Sequence, residues 1–519
     1  MNRSEHYWGD AGHPGSDYHG NLADDPECGP GRDDFDRMGP GMNAVTPYLV
    51  DSSGNAPYRT LHDAMCAALR DCKGSSRPPT VMLRPGTYYL TEVFNSRRPV
   101  NIVGTSFNSE QSPVVKGCTE SGGSKSWNGV RFKGSKSHYI VNNRKSCDIA
   151  TDMFCKCQFT DNFKLTTYND RAVFDSCHFN YDSLDRDRVL EVADGNGHME
   201  FHKSKFDFCR TGSSCAKSFI FLGSNSCDTK TLFNCNVFQG SVEGKDTFSM
   251  IRPWGNQPIH FMFGYVNVTK AQGKTYVFGA PTKTIGITLC VKSSAFFGAE
   301  HCSNIAVTGN IWPKLVSNEP MIFHANKIHL MRSMWYGDTK CNGRPENKPM
   351  QKCSSDGSFP KKEKCACDDG CGSIRIQVYD DDSDDDQECT VPDADTGDRR
   401  FQWVHNQIIP SLAQNFVFKK MEKNGFVRLD MVSNHIFAPN NHKKELFLFE
   451  QDGLGGEIEI HSHSNTYRND NPDVDPNWLL TNLDNTAIPQ NSTTIEGLDV
   501  AMKVGGGVIS AQPLSTILI

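Results

Sequence analysis

The residues with the chemistry to act fall into a few clusters. Six cysteines, Cys341, Cys353, Cys365, Cys367, Cys371 and Cys389, lie among Gly, Lys, Pro and Asp, with no hydrophobic pattern from 337 to 372. Such a stretch cannot bury enough apolar area alone and needs covalent or metal staples. Disulfides are the first expectation, because virion and extracellular surfaces permit them. Zinc comes second, since Cys365-Ala-Cys367-x3-Cys371 fits paired C-x2-C ligands poorly. Beside them, Asp380-Asp-Asp-Ser-Asp-Asp-Asp386 sets six carboxylates in seven residues. It reads first as a solvated acidic loop, with Asp380, Asp382, Asp384 and Asp386 as calcium candidates that lack the turn Gly and distal Glu of an EF-hand loop. His461-Ser-His463 places two imidazoles on one strand face, a metal pair without a third ligand. Asn267-Val-Thr269 and Asn491-Ser-Thr493 are glycosylation acceptors, Asn267 and Asn491, for a chain that meets that machinery. The sequence holds no Gly-rich phosphate loop, Ser/His/Asp motif or nucleotide fingerprint, so no cofactor is expected.

Composition limits what can position these groups. The 519 residues include 44 Gly and 26 Pro and are 37% apolar, a turn-rich chain that does not suit long helices or coiled coils. With 54 Lys+Arg against 61 Asp+Glu, the net charge of −7 offers no basic field, and no nucleic-acid partner is expected. No window approaches 18 consecutive apolar residues, and Met1-Asn-Arg-Ser-Glu-His-Tyr-Trp8 is polar. Neither a membrane span nor a Sec signal peptide is therefore expected. Outside the six-cysteine stretch, reduced thiols are the default for a chain with 20 Cys and no such signal.

A repeat organises most of the chain. Its form is an aromatic, two spacers, then Cys, Ser or Asn, a spacer, and an aromatic or aliphatic residue: Phe154-Cys-Lys-Cys157-Gln-Phe159, Phe174-Asp-Ser-Cys177-His-Phe179, Phe201-His-Lys-Ser204-Lys-Phe206. Looser copies include Phe233-Asn-Cys235-Asn-Val-Phe238, with Cys235 read as the thiol, and those holding Ser294, Asn310, Asn434 and Asn465. Constant local pattern with variable spacing fits a solenoid whose loops vary while its strands stack. Alternate residues of a strand share a face, so the thiol and the following Phe are expected to point inward together, with the cysteines as small core groups. Ahead of the repeat, Leu61, Ala64, Met65, Ala68 and Leu69 form one apolar face of a short helix that Thr60 or Ser53 would cap.

Tyr58-Arg-Thr-Leu-His-Asp-Ala-Met65, Val81-Met-Leu-Arg-Pro-Gly-Thr-Tyr88 and Val100-Asn-Ile-Val-Gly104 resemble the entry to the pectin lyase-like right-handed parallel β-helix. The resemblance covers roughly 51–335 and 426–470 and implies fold alone, since many activities and inert structural proteins share it. Some ten to twelve coils at about 4.7–4.9 Å would make a rod roughly 50–60 Å long. The family's glycosidase motifs survive only as Gly195-Asn-Gly-His198 and Arg375-Ile-Gln377. Those of its methylesterases are echoed, in reversed order, by Ile251-Arg-Pro-Trp254 and His260-Phe-Met-Phe-Gly264, with His260 where the nucleophilic Asp would stand. Arg252 and Trp254 thus read as a structural turn and a packed aromatic.

The resulting expectation is an all-β chain, a right-handed parallel β-helix (solenoid) with a short N-terminal capping helix, a Cys-rich insertion and extended terminal arms. Residues 1–50 form the N-terminal arm, 51–336 the β-helix, 337–425 the Cys-rich and acidic insertion, 426–470 the last coils and 471–519 the C-terminal arm or cap. The Gly-, Asp- and Pro-rich arm has no periodicity, and Gly505-Gly-Gly-Val-Ile-Ser510 runs into Pro513-Leu-Ser-Thr-Ile-Leu-Ile519, apolar residues that would be a clasp if buried on another subunit. In kind this resembles a minor capsid, vertex or attachment protein of a large DNA virus, non-catalytic, assembled in the host cytoplasm and bound to other particle subunits through 1–50 and 505–519. The alternative is a carbohydrate-active β-helix enzyme or glycan-binding spike whose groove carries Trp254, Trp312 and Trp335.

Overall fold

The computed structural model describes residues 48–72, 78–337 and 397–513, apart from a number of loops between strands. Its strands are short because inward and outward residues alternate only for a few positions before Gly, Ser or Asn breaks the pattern. Each coil lays one strand on each of three faces, which we term A, B and C. Thr151–Cys155 lies on face A, Gln158–Thr160 on face B and Phe163–Tyr168 on face C, and Arg171–Asp175 returns to face A. The return strand pairs in parallel and in register, Thr151 opposite Arg171 through to Cys155 opposite Asp175. The expected parallel β-helix is thus the fold, and the repeated segments are its rungs, except the copy holding Asn310: its strand Ile305–Thr308 lies on face C, and Asn310 is outside the described residues.

Face A is a 16-stranded sheet, parallel from Leu49–Val50 to Glu457–His463 and closed by two antiparallel strands. Its fourteen parallel strands span roughly 60 Å at about 4.7–4.9 Å per rung. Face B has 14 strands and face C eight, with a separate four-stranded sheet taking over beyond Met334–Gly337. Inside, Phe154, Phe174, Phe201 and Phe233 stack at 4.8 Å down face A. Phe159, Phe179, Phe206 and Phe238 do the same at 4.7, 4.7 and 4.2 Å down face B. One contiguous core runs from Val50 to Ile436.

The passage from face A to face B is a tight turn on one residue with positive φ, such as Lys156 (50°), Ser176 (53°), Lys203 (48°) or His405 (55°). Left-handed backbone costs an L residue about 1–2 kcal/mol, and the next residue offsets it by hydrogen bonding along the axis. Cys177 Sγ donates to the Phe154 carbonyl at 3.0 Å, and Ser204 N–H donates to Asn236 Oδ1 at 2.8 Å. Later coils use asparagine throughout: Asn326, Asn406, Asn434 and Asn465 each sit in that slot, fully or almost fully buried. The thiols Cys157 and Cys177 are core groups as expected. Cys235 is not: Asn236 fills the slot, and Cys235 is the exposed left-handed turn residue, φ 57°.

At the N-terminal end, helix α1 (Leu61–Asp71) starts with Thr60, whose hydroxyl accepts from Asp63 N–H, and buries Leu61, Ala64, Met65 and Ala68. It packs on the first strands of faces A and B as part of the same core. The solenoid also continues inside the stretch assigned to the insertion. Gly397–Val404, Gln407–Pro410 and Phe416–Lys419 make a full coil on Met321–His324, Lys327–Met331 and Met334–Gly337. Its Phe401-Gln-Trp403-Val-His-Asn406-Gln-Ile408 is one more copy of the repeat. Cys341, Cys353, Cys365, Cys367, Cys371, Cys389, Asp380, Asp382, Asp384, Asp386, Asn491 and residues 1–47 lie outside the described residues. At the other end, Val500–Gly505 pairs antiparallel with Glu457–His463, and Val508–Pro513 pairs with it in turn. Of the stretch 505–519, expected on another subunit, Gly505 and Val508–Pro513 thus use one edge of their backbone on the chain's own face A. No described helix is long and apolar enough to cross a membrane.

Candidate functional site

Two outer faces gather polar side chains. On face A, the outward residues of consecutive rungs bring Arg171, Glu200 and His202 together. Arg171 Nη2 lies 2.6 Å from Glu200 Oε1, and His202 Nε2 lies 3.0 Å from Glu200 Oε2. All three are buried. Burial alone would raise the Glu200 pKa, but the hydrogen bond from His202 and the charge and hydrogen bond of Arg171 outweigh it and bring the carboxyl down to about 2. With both oxygens engaged and no proton to give near neutrality, Glu200 is a structural anion and a poor general acid.

Face B carries a longer array. Three residues past the axial hydrogen-bonding slot, each coil points a side chain outward: Thr160, Asn180, Asp207, Gln239, Asn267, Phe297 and His329, paired rung to rung. Between Asn180 and Thr269 the surface sinks into a groove of about 340 Å³. Its floor is shaped by a bulge, where the register slips between Gly240 and Ser241 and leaves Thr269 as the extra residue. Thr269 donates its hydroxyl to the Gly240 carbonyl at 3.0 Å. Gly240 is required there, because a Cβ would overlap the Phe208 carbonyl oxygen.

Charge in the groove is balanced internally. Asp207 Oδ2 takes His178 Nε2 at 2.7 Å and Lys205 Nζ at 2.8 Å. Burial pushes its pKa up, but the bonds from Lys205 and His178 prevail and hold the carboxyl below its usual range. The side-chain amides of Asn180, Gln239 and Asn267, all groove-lining, make no hydrogen bond to the described protein. One end of the array is aromatic: Tyr265, 40% exposed, lies 5.5 Å from Phe297, whose ring meets His329 edge-on at 5.1 Å. Phe263, at the adjoining turn, is 58% exposed.

Of the residues expected to act, Asn267 is in this groove. Trp312 and Trp335 lie on strands of two different minor sheets, Ile311–Pro313 and Met334–Gly337, and Trp254 is outside the described residues. His461 and His463 lie on Glu457–His463, opposite Asp430 and Val432. Among the described residues, no group of three His, Cys, Asp or Glu stands close enough to hold a metal. The face B array was legible in principle: Cys177-His-Phe179-Asn180, Ser204-Lys-Phe206-Asp207 and Asn236-Val-Phe238-Gln239 name it once the repeats are aligned one residue beyond the inward Phe.

Compared with known proteins, the chain matches no protein-family model, no curated protein and no solved structure.

Proposed function

We propose that this chain is a non-catalytic structural or attachment protein, a rigid rod that works by being held in a larger particle. The observation that carries this reading is the continuous dry interior: one core from Val50 to Ile436, ring stacks from Phe154 to Phe233 and from Phe159 to Phe238, and axial hydrogen-bonded ladders from Cys177 to Asn236 and from Gly264 to Asn465 leave little freedom between rungs. The Glu200 site supports it, since its carboxylate is committed to Arg171 and His202. Residues 1–50 and 505–519 are the segments proposed to contact neighbouring subunits. For the second of these, the support is that Val508–Pro513 is the last strand of face A and leaves one backbone edge unpaired among the described residues. A virion is the particle proposed, on the strength of arm composition and the six-cysteine segment.

Rate-zonal sedimentation of native source material, followed by mass spectrometry of the fractions, tests this. The chain is expected to sediment with a large assembly and to lose that association when residues 1–47 are deleted. Migration of the intact chain as a free monomer would overturn the reading.

A further inference from the structure

We propose that the face B groove is a binding site for a neutral glycan laid along the rod axis. It goes beyond the structural reading and does not depend on which neighbours the arms hold. The site supplies what a polyhydroxylated chain requires. Asn180, Gln239 and Asn267 each offer a donor and an acceptor that the described protein does not use, the combination that matches hydroxyls acting as both. Successive rungs lie about 4.7–4.9 Å apart, close to the length of one pyranose, so a linear glycan meets a polar side chain at each ring. At the far end the exposed ring of Tyr265, with the half-buried Phe297 beside it, gives an aromatic surface for the apolar face of a sugar.

The same chemistry argues against other ligands. None of the residues lining the groove is a cation, and the neighbouring Lys205 is paired with Asp207, so the groove offers no free positive charge to a polyuronide or a nucleic acid. A peptide strand would need backbone edges, and here the backbone is consumed in the parallel pairing of Lys205–Arg210, Val237–Val242 and Tyr265–Ala271.

The test is affinity electrophoresis of the full-length chain, made in a host without N-glycosylation so that Asn267 stays bare, in gels containing neutral β-glucan, mannan or galactan, or polygalacturonate. Retardation by at least one neutral polysaccharide and none by polygalacturonate is expected. Gln239→Ala and Tyr265→Ala should each weaken that retardation about three- to tenfold, with circular dichroism unchanged. Phe437→Ala, an exposed aromatic on a distant rung of face B, should bind as wild type. Absence of binding to all three neutral polymers, preference for polygalacturonate, or wild-type binding by both folded groove variants would overturn the assignment.

Discussion

Asn434 Oδ1 accepts two hydrogen bonds from Asn406, one from its backbone N–H and one from its side-chain amide, both at 2.9 Å. Asn434 in turn donates its own amide to the Trp403 carbonyl at 2.8 Å. Asn434→Ala would strand these partners in a dry interior, at about 1–3 kcal/mol per unsatisfied group. A loss of several kcal/mol in chemical denaturation is expected, larger than for Asn180→Ala on the outer surface. Equal midpoints for the two variants would show that the ladder contributes little.

Phe201 sits between Phe174 and Phe233, 4.8 Å from each and fully buried. Truncating it to Ala should cost about 3–5 kcal/mol, while Phe201→Leu, which keeps most of the volume, should cost clearly less. Unfolding midpoints followed by tryptophan fluorescence would rank the two.

Thiol reactivity should divide along the turn. Cys66 and Cys235 are exposed, whereas Cys157, Cys177 and Cys290 are buried, and burial raises the thiol pKa of Cys177 and of Cys290. Alkylation of the native chain, read by peptide mass spectrometry, should label Cys66 and Cys235 within minutes and spare the other three until denaturant is added. Native labelling of Cys177 would contradict its place in the ladder.

Glu200 sets an acid limit on stability. Its carboxyl is lowered from 4.5 to about 2 in the fold, so between those values the unfolded chain binds the extra proton. The stabilisation is complete above the unfolded pKa and is lost as pH falls through the folded one. Denaturation midpoints should decline between about pH 4.5 and 2, and Glu200→Gln should flatten part of that slope while lowering stability at pH 7 by up to about 3 kcal/mol. An unchanged slope in Glu200→Gln would remove this residue from the acid response.

The fold was legible because its core is built from a pattern of residue types: Phe, a left-handed turn, a small or amide side chain, and Phe again recur at Phe174 to Phe179 and at Phe201 to Phe206. Where the pattern changed identity it was harder to see. Trp403 and Asn406 replace Phe and Cys in the coil at 397–419, and Cys235 stands directly before Asn236 in a chain whose earlier slots hold thiols. The groove is not legible in the sequence, for a physical reason. Its residues are ordinary one by one, and only the parallel register of Asn180, Asp207, Gln239 and Asn267 makes them neighbours. Outward positions obey no burial rule, so periodicity does not mark them.

The reversal of chain direction at Val500–Gly505 is undone by the strand that follows it. Two successive antiparallel pairings bring Val508–Pro513 back to the direction of the parallel strands, so the edge left at this end of face A runs with the sheet. Helix α1 packs on the first strands of the other terminus. Series addition of copies is therefore blocked at the helix-covered extremity and open only at the other.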